Sequence, residues 1–312
     1  MVENFSFGLK TSFATVLSAI CLIGGTAHGQ VKAKSVAPST AKSRSVLLAQ
    51  NQVPQVSSAS GQSSAQVSQN ETQDKKWSLG LSVDYNMSSV KEEAVEQETS
   101  VDYSMTPSYS ISKDLSVSAL GSINQQRTGA KETLVADTVA SLSYKGYAFS
   151  ETTHLKHSLA ALLPTSRKSQ EEDRYKGGLR LSNGIKVGLG SLLDVTYTLG
   201  IQRNVHEFNV NQDGKANIQW QIRHQLDLAL HLTDSFAINA WGRYTVGSTY
   251  ENFSRYSFVT DVTAEYEVFK SFTVSAGVGN DGPALKNNGV DSNIAVYDEK
   301  SSTYHAGIGY TF

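Results

Sequence analysis

The chain has 312 residues, with 27 Lys and Arg residues against 29 Asp and Glu residues and a formal net charge of −2 at pH 7. This balance excludes the basic footprint that a nucleic-acid-binding protein carries. Hydrophobic residues make up only 39% of the chain, and no stretch after the N-terminus supplies the roughly 20 apolar residues that a membrane-spanning helix needs.

The first 29 residues have the composition of a signal peptide. Lys10 precedes an apolar run over 11–23, and small residues follow that run. The run is too short for a mature membrane helix, and cleavage after Ala27 or Gly29 fits the small-residue rule. A retained membrane anchor is the alternative. Cys21 is the only cysteine of the chain, so the mature protein is expected to contain neither disulfides nor thiol chemistry.

Residues 30–75 form a second segment with a different composition. They are rich in Ser, Gln, Ala and Val and contain no aromatic residue, so they cannot bury enough apolar surface to offset the entropy of ordering. The segment is therefore predicted to be a disordered periplasmic tail or linker. Its first half is basic, which leaves open a tail that enters the lumen of the following domain or contacts peptidoglycan.

The third segment, residues 76–312, alternates apolar and polar residues with a period of two, which is typical of strands with two different faces. Leu79 and Leu81 share one face of the first strand, whereas Ser78 and Gly80 share the other. The pattern predicts about twelve strands. They lie near 77–87, 99–112, 115–126, 133–145, 148–163, 174–187, 192–207, 216–232, 235–247, 254–268, 271–280 and 302–312.

The length and connections of these strands distinguish a membrane barrel from a soluble sandwich. Soluble strands average about 5–6 residues, whereas a tilted membrane strand needs about 9–11, and most of the predicted strands are that long. Short turns alternate with longer loops, as in outer-membrane barrels, whose short turns are periplasmic. Short turns are predicted at Lys113-Asp114, Lys145-Gly146, 233–235 and Phe269-Lys270, with one more at Asn183-Gly184 or 188–191, and longer loops at 88–98, 165–173, 247–252 and 280–301.

The predicted fold is therefore all-β, a transmembrane antiparallel up-and-down barrel with both termini in the periplasm. Aromatic residues on the apolar face gather near both strand ends, where their rings favour the headgroup level. The ordinary strand propensity of Tyr and Phe is the alternative explanation. The expected periplasmic belt contains Trp77, Tyr109, Tyr144, Tyr266, Phe272 and Phe312, and the expected loop-side belt contains Tyr85, Tyr103, Tyr175, Trp220, Tyr244, Tyr256, Phe258 and Tyr304.

The last eight residues carry the most specific motif. A polar residue, His305, is followed by Gly307, and Tyr310 and Phe312 occupy the third-last and last positions. This pattern resembles the C-terminal assembly signal of bacterial outer-membrane proteins. The resemblance implies a porin-like barrel in the outer membrane of a Gram-negative bacterium, recognised by the barrel-assembly machinery through its last strand.

The polar face of the strands would line the lumen of such a barrel, and its charged residues are unevenly distributed. Acidic residues are predicted on strands one to four and ten, and basic residues on strands five, six, eight and nine. On a closed ring an acidic wall then faces a basic wall, which is similar to general porins. A lumen filled by neutralising salt bridges is the alternative. The candidate lumen residues are Asp84, Asp102, Asp137, Lys156, Lys176, Arg180, Asp194, Arg223, Asp227, Arg243, Asp261 and Glu265.

A charged lumen favours an outer-membrane channel for the passive diffusion of small hydrophilic solutes. A non-conducting barrel for structure, adhesion or partner binding is the alternative, and an outer-membrane lipid hydrolase is a third hypothesis. Catalysis is disfavoured because the adjacent His157 and Ser158 face opposite ways, and because His305 and Ser302 do not share a face. His224, on the apolar face, is assigned no role.

The partners and cofactors expected from the sequence follow from this interpretation. No phosphate loop, zinc motif or dinucleotide fingerprint is present in the sequence. We therefore expect that the chain is not an enzyme and that it needs no cofactor or metal. Outer-membrane lipid and lipopolysaccharide, the assembly machinery and small solutes are the expected partners, and nucleic acid is not.

Overall fold

The computed structural model describes residues 76–89, 97–129, 131–286 and 288–312. The predicted signal peptide over 1–29 and the predicted tail over 30–75 lie outside the described residues. The described strands are β1 (Trp77–Ser88), β2 (Thr99–Ser110), β3 (Leu115–Gln126), β4 (Thr133–Val135), β5 (Thr138–Ala148), β6 (Thr153–Leu163), β7 (Tyr175–Leu189), β8 (Leu193–His206), β9 (Ile218–His231), β10 (Phe236–Thr249), β11 (Ser254–Phe269), β12 (Phe272–Pro283) and β13 (Thr303–Thr311).

The strands pair in chain order to form a closed antiparallel barrel. β1 pairs with β2 on one side and with β13 on the other, so the sheet has no free edge at this seam. β4 and β5 both pair with β3 and share one place in the ring, which leaves twelve strand positions. The predicted all-β barrel is confirmed. A short π-helical segment, Lys168–Glu172, lies between β6 and β7, and no helix in the described part of the chain is long and apolar enough to cross a membrane.

The connections differ in length at the two ends of the barrel. Trp77 and Phe312 lie at the end with the short connections, which we call the turn end, and we call the opposite end the loop end. The connection between β10 and β11, predicted as a longer loop, is short because β10 extends to Thr249 and only 250–253 remain. The turn-end connections are 111–114, 149–152, 190–192, 232–235 and 270–271.

Two predicted turns are corrected or resolved by the backbone. The turn predicted at Lys145-Gly146 is wrong, because β5 continues to Ala148 through a register shift. Gly146 allows a close approach there, since a Cβ would lie 2.7 Å from the His157 ring. Between β7 and β8 the turn contains Gly190 at φ +69°, so the alternative at Asn183-Gly184 is excluded.

The predicted fourth strand, 133–145, is interrupted between β4 and β5. At the break the Asp137 carboxylate is buried, and it accepts hydrogen bonds from the Ser166 main-chain N–H (2.9 Å) and the Ser169 hydroxyl. Asp has a low strand propensity. Here Asp137 fixes the loop that follows β6 to the inside of the barrel. The interruption is thus the place where the loop 164–174 is attached.

The two faces of the barrel have opposite character. Large apolar side chains such as Leu81 and Ile308 are exposed on the outside, whereas Gln202, Gln221 and Asp261 are buried on the inside. This inversion of the soluble pattern is typical of membrane barrels. The interior, rather than a hydrophobic core, therefore carries the candidate functional groups.

Candidate functional site

A cavity of about 1670 Å³ occupies the turn-end part of the barrel interior. On β1, β2, β3 and β5 half of the lining residues are Ser, and the hydroxyls of Ser82 and Ser104 lie 2.7 Å apart across neighbouring strands. Hydroxyls both donate and accept hydrogen bonds, and their side chains are short, so this lining is polar and leaves the space open. The cavity reaches the turns 111–114 and 232–235.

Basic residues line the cavity on β6, β7, β9 and β10. Lys156, Arg180, Arg223 and Arg243 all belong to the lining, and the three guanidinium groups are close enough to repel one another. Arg223 donates from Nε (3.1 Å) and Nη2 (2.7 Å) to the side-chain oxygen of Gln221. The guanidinium of Arg223 is thus held in place by a neutral group.

Acidic residues line the cavity on β1 and β11. Asp84, Asp261 and Glu265 belong to the lining, and Glu265 is repelled by both other carboxylates. His305 Nε2 lies 2.9 Å from Asp261 Oδ2. This contact crosses β12 because Gly277 lies between them, where a Cβ would come within 2.6 Å of His305 Nε2.

The basic strands also carry carboxylates. Asp194 Oδ2 lies 2.7 Å from Lys186 Nζ and 3.5 Å from His231 Nε2, and all three residues line the cavity. Lys186 and His231 were not predicted as lumen residues, although their even spacing from Arg180 and Arg223 places them on the same inner face. Two predicted acids, Asp194 and Asp227, therefore interrupt the basic arc.

Two further predicted lumen residues lie outside the cavity lining. Asp102 is held by the side-chain amides of Asn86 (2.9 Å) and Asn124 nearer the loop end. Asp137 holds the loop 164–174, as described above. Asp102 therefore binds side chains of neighbouring strands, whereas Asp137 binds groups of a loop, and neither carboxylate belongs to the cavity lining.

The assignment of Lys176 to the lumen is wrong. The pairing of β7 with β8 shifts register between Tyr175 and Gly177, and a one-residue shift exchanges the two faces. Lys176 is exposed and forms an ion pair with Glu207 at 2.8 Å, which lowers the pKa of Glu207. Tyr175, predicted for the loop-side aromatic belt, is instead buried inside, and its hydroxyl donates to Asn204 Oδ1 (3.3 Å).

The loop end of the interior is filled by side chains and loops. Gln202, Asn204 and Gln221 are buried there, and none of them lines the cavity. The Tyr250 hydroxyl donates to the Asn204 carbonyl (3.1 Å), which ties the connection 250–253 to the barrel.

Two loops also bond to each other at the loop end. The Gln212 N–H donates to the Glu172 carbonyl (3.0 Å), and Asn217 Nδ2 donates to the carbonyl of Asp173 (3.2 Å). Burial raises the pKa of the Asp173 carboxyl, which a hydrogen bond from Asn211 (3.4 Å) partly offsets. The segments 164–174 and 207–217 thus form one bonded cap.

Three histidines, His157, His224 and His305, have contacts that do not form a catalytic triad. His157 and His224 lie on the outer face and bond to Asn183 (2.7 Å) and the Tyr197 hydroxyl (2.8 Å). His305 contacts Asp261 through Nε2, and its Nδ1 is buried without a partner. In a catalytic triad the histidine bonds to the nucleophile through one nitrogen and to a carboxylate through the other. No cluster of three or more potential metal ligands occurs in the ranges that the structure describes.

The four residues of the terminal motif divide between the two faces of β13. His305 and Gly307 face inward, and the side chain of Asp84 occupies the space where a Cβ of residue 307 would lie. Tyr310 and Phe312 are exposed on the outside, with ring centroids 4.6 Å apart. Phe312 N–H donates to the Leu79 carbonyl (3.0 Å), so the terminal residue takes part in barrel closure.

The barrel is similar to those of known outer-membrane proteins. An outer-membrane channel from Pseudomonas putida F1 superposes with a TM-score of 0.55 at 14% identity, covering 78% of this chain and 97% of that one. The NanC porin superposes with a TM-score of 0.51 at 9% identity, covering 74% and 98%. These identities establish a shared fold alone. No family model matches the chain, and no curated protein is significantly similar to it.

Proposed function

We propose that this chain is an outer-membrane channel for the passive diffusion of small hydrophilic solutes. The observation that carries the proposal is the polar cavity of about 1670 Å³ inside a closed barrel with an apolar outer surface. The names of the two structural relatives, a channel and a porin, agree with it. Passive diffusion requires a hydrated path and no catalytic group.

The proposal includes an electrostatic field across the lumen. Arg180, Arg223 and Arg243 would form one wall, and Asp84 with Glu265 would form the opposite wall. In a water-filled bore with low-dielectric surroundings, such groups set the potential that a passing ion experiences. The pairing of Asp194 with Lys186 at 2.7 Å reduces the field near the turn end, so the arginines are the dominant basic groups.

The orientation of the barrel in the membrane and its partners are also part of the proposed function. Short turns of outer-membrane barrels are periplasmic, so the turn end, with both barrel termini, would face the periplasm. Lipid and lipopolysaccharide would surround the outer face. The barrel-assembly machinery would recognise β13 through Tyr310 and Phe312.

Planar-bilayer recording tests the channel directly. The full chain, refolded in detergent and added to a bilayer, is expected to give discrete conductance steps, and the same protein boiled before addition is the control. Folding is checked independently by a β-rich far-UV spectrum and by different gel migration of boiled and unboiled samples. Folded protein that inserts and carries no current would refute the channel.

A second candidate, a non-conducting barrel that binds a partner or supports the surface, is favoured by a different observation. The loop end is packed with buried side chains such as Gln202 and Asn204, and the Asp137 carboxylate holds the loop 164–174 inside. If this packing persists in the membrane, the cavity is a closed vestibule. The same bilayer recording distinguishes the two candidates.

A further inference from the structure

The last loop of the barrel crosses its outer surface. The carbonyl of Ala295 accepts hydrogen bonds from the Thr260 hydroxyl (3.0 Å) and from Asn280 Nδ2 (2.9 Å). Thr260 and Asn280 are register partners and therefore share one face of the sheet. That face is the outer one, because the adjacent Asp261 lines the cavity. Residues 293–299, which we call the strap, therefore lie outside the barrel.

Further contacts carry the strap across to β13 and β1. The hydroxyl of Tyr304, an outward residue of β13, donates to that of Tyr297 (3.1 Å). The Ser89 hydroxyl, just after β1, donates to the carbonyl of Glu299 (3.0 Å). The strap thus spans the outer face of β11, β12, β13 and β1.

The strap covers side chains that a lipid-facing surface would otherwise expose. Phe258, predicted for the loop-side aromatic belt, points outward and is only 2% exposed. Thr260 and Asn280 are polar residues on the apolar face, where a polar group without a hydrogen-bond partner is strongly unfavourable. The strap carbonyl satisfies both, and the Ser301 hydroxyl donates to Asn280 Oδ1 (2.8 Å).

The position of these tethers along the strands places the strap at membrane height. A barrel strand rises about 3.3 Å per residue, or about 2.5 Å along the membrane normal at a tilt of about 40°. Thr260, six residues from Tyr266, is then about 15 Å above the turn-end aromatic belt, and Asn280, eight residues from Phe272, about 20 Å above it. The apolar band of such barrels is about 25 Å tall, so the strap lies near its upper edge.

The outer side of the strap is apolar over residues 294–297. Ile294, Val296 and Tyr297 are exposed by 49%, 55% and 47%, whereas Ala295 faces the barrel. A stable protein interface engages about 20–30 residues on each side, and three side chains fall far short of that. Main-chain groups near the headgroups can reach water, which they could not do at the bilayer centre. These features fit lipid rather than a second copy of the chain.

We propose that the strap is a lipid-contacting element that lies at the boundary between headgroups and acyl chains of the outer leaflet. Ile294 and Val296 insert among the acyl chains, and Tyr297 with Tyr304 lies at the headgroup level, where aromatic rings are favoured. The inference rests on the membrane location in the proposed function and is independent of whether the lumen conducts.

Site-directed spin labelling tests the depth of the strap. The full chain with Cys21→Ser and Val296→Cys is labelled with a nitroxide and refolded into phosphatidylcholine vesicles. Collisions with oxygen, which is concentrated in lipid, are compared with collisions with a water-soluble nickel chelate. The oxygen-to-nickel ratio at Val296 is expected to exceed that of Asp213→Cys, in an exposed polar loop, several-fold and to approach that of Ala276→Cys, on the outer face of β12.

Other accessibility ratios at Val296 and Ala276 would contradict either the lipid contact or the membrane location. A ratio at Val296 equal to that at Asp213 shows a strap in water, and low accessibility to both reagents with spin–spin broadening shows a second copy of the chain. Either result refutes the lipid contact. A water-like ratio at Ala276 would instead refute the membrane location itself. Asn280→Leu, which removes the tether but adds no polar group to the lipid face, is expected to increase the mobility of the label at Val296.

Discussion

The two halves of the barrel interior differ in what fills them. At the turn end, Ser side chains and charged residues surround a cavity of about 1670 Å³. At the loop end, larger amides such as Gln202 and Gln221 are buried, and the loop 164–174 is fixed inside by Asp137. The same alternating strands thus produce an open and a packed half, and side-chain size on the inner face decides which. A channel needs a path through the packed loop-end half as well as through the open turn-end half.

The largest expected effect is loss of barrel assembly, because neither half of the interior exists unless the barrel closes. Deleting Phe312 removes its outward ring and the main-chain hydrogen bond to the Leu79 carbonyl. Changing Tyr310 and Phe312 to Ser removes both outward rings of the terminal motif and keeps that bond. Periplasmic aggregate or degraded protein is expected in place of outer-membrane protein, measured by fractionation and immunoblotting. Wild-type amounts in the outer membrane would show that the terminal match is coincidental.

The second prediction tests which face is which. Arg at Leu228, which is on the outer face, is expected to cost about 2–4 kcal/mol if the residue lies near the membrane midplane. Arg at Gln225, three residues away on the same strand, faces the cavity beside Asp227, so a much smaller loss is expected. Urea unfolding in vesicles measures both, and equal losses would mean that the assigned faces are wrong.

The third prediction removes the loop from the packed half. Asp137→Ala eliminates the acceptor of the Ser166 and Ser169 hydrogen bonds, at a cost of about 1–3 kcal/mol for the donors left unpaired. Greater susceptibility of the loop 164–174 to protease is expected, together with a larger single-channel conductance if this loop narrows the path. The control is Asp114→Ala at the turn end, which leaves the loop attached. Unchanged proteolysis would show that Asp137 does not hold the loop.

Much of the fold could be predicted from the sequence because a barrel strand shows its two faces in its period. That period places Arg180 and Asp261 on the polar face of their strands, and both residues belong to the cavity lining. It failed at Lys176, where the irregularity at Tyr175–Gly177 shifts the faces by one residue and leaves no compositional sign. The role of Asp137 could not be predicted from the sequence, because its partner Ser169 lies 32 residues further along the chain. The strap could have been predicted, because Thr260 and Asn280 are polar residues on an apolar face and need hydrogen-bond partners there.

The smallest expected effect concerns the field in the open half. Changing Arg180, Arg223 and Arg243 together to Gln keeps amide donors at these positions and removes three positive charges. The reversal potential under a salt gradient is expected to shift toward cation selectivity, because Asp84 and Glu265 are then unopposed. Asp84→Asn with Glu265→Gln is expected to shift it toward anions. Asp102, which lies outside the cavity lining, is left unchanged.

Salt dependence and a matched control separate this field from a general change of the barrel. Both shifts should shrink at high salt, since the Debye length falls from about 10 Å at 0.1 M to about 3 Å at 1 M. Lys176→Gln removes a positive charge outside the lumen, where Lys176 pairs with Glu207, and should leave the reversal potential unchanged. If the triple Arg variant conducts and shifts no more than Lys176→Gln, the path of the ions avoids the arginines. The conducting route then runs along the Ser-lined side of the cavity, and the opposed-wall field is refuted while the channel remains.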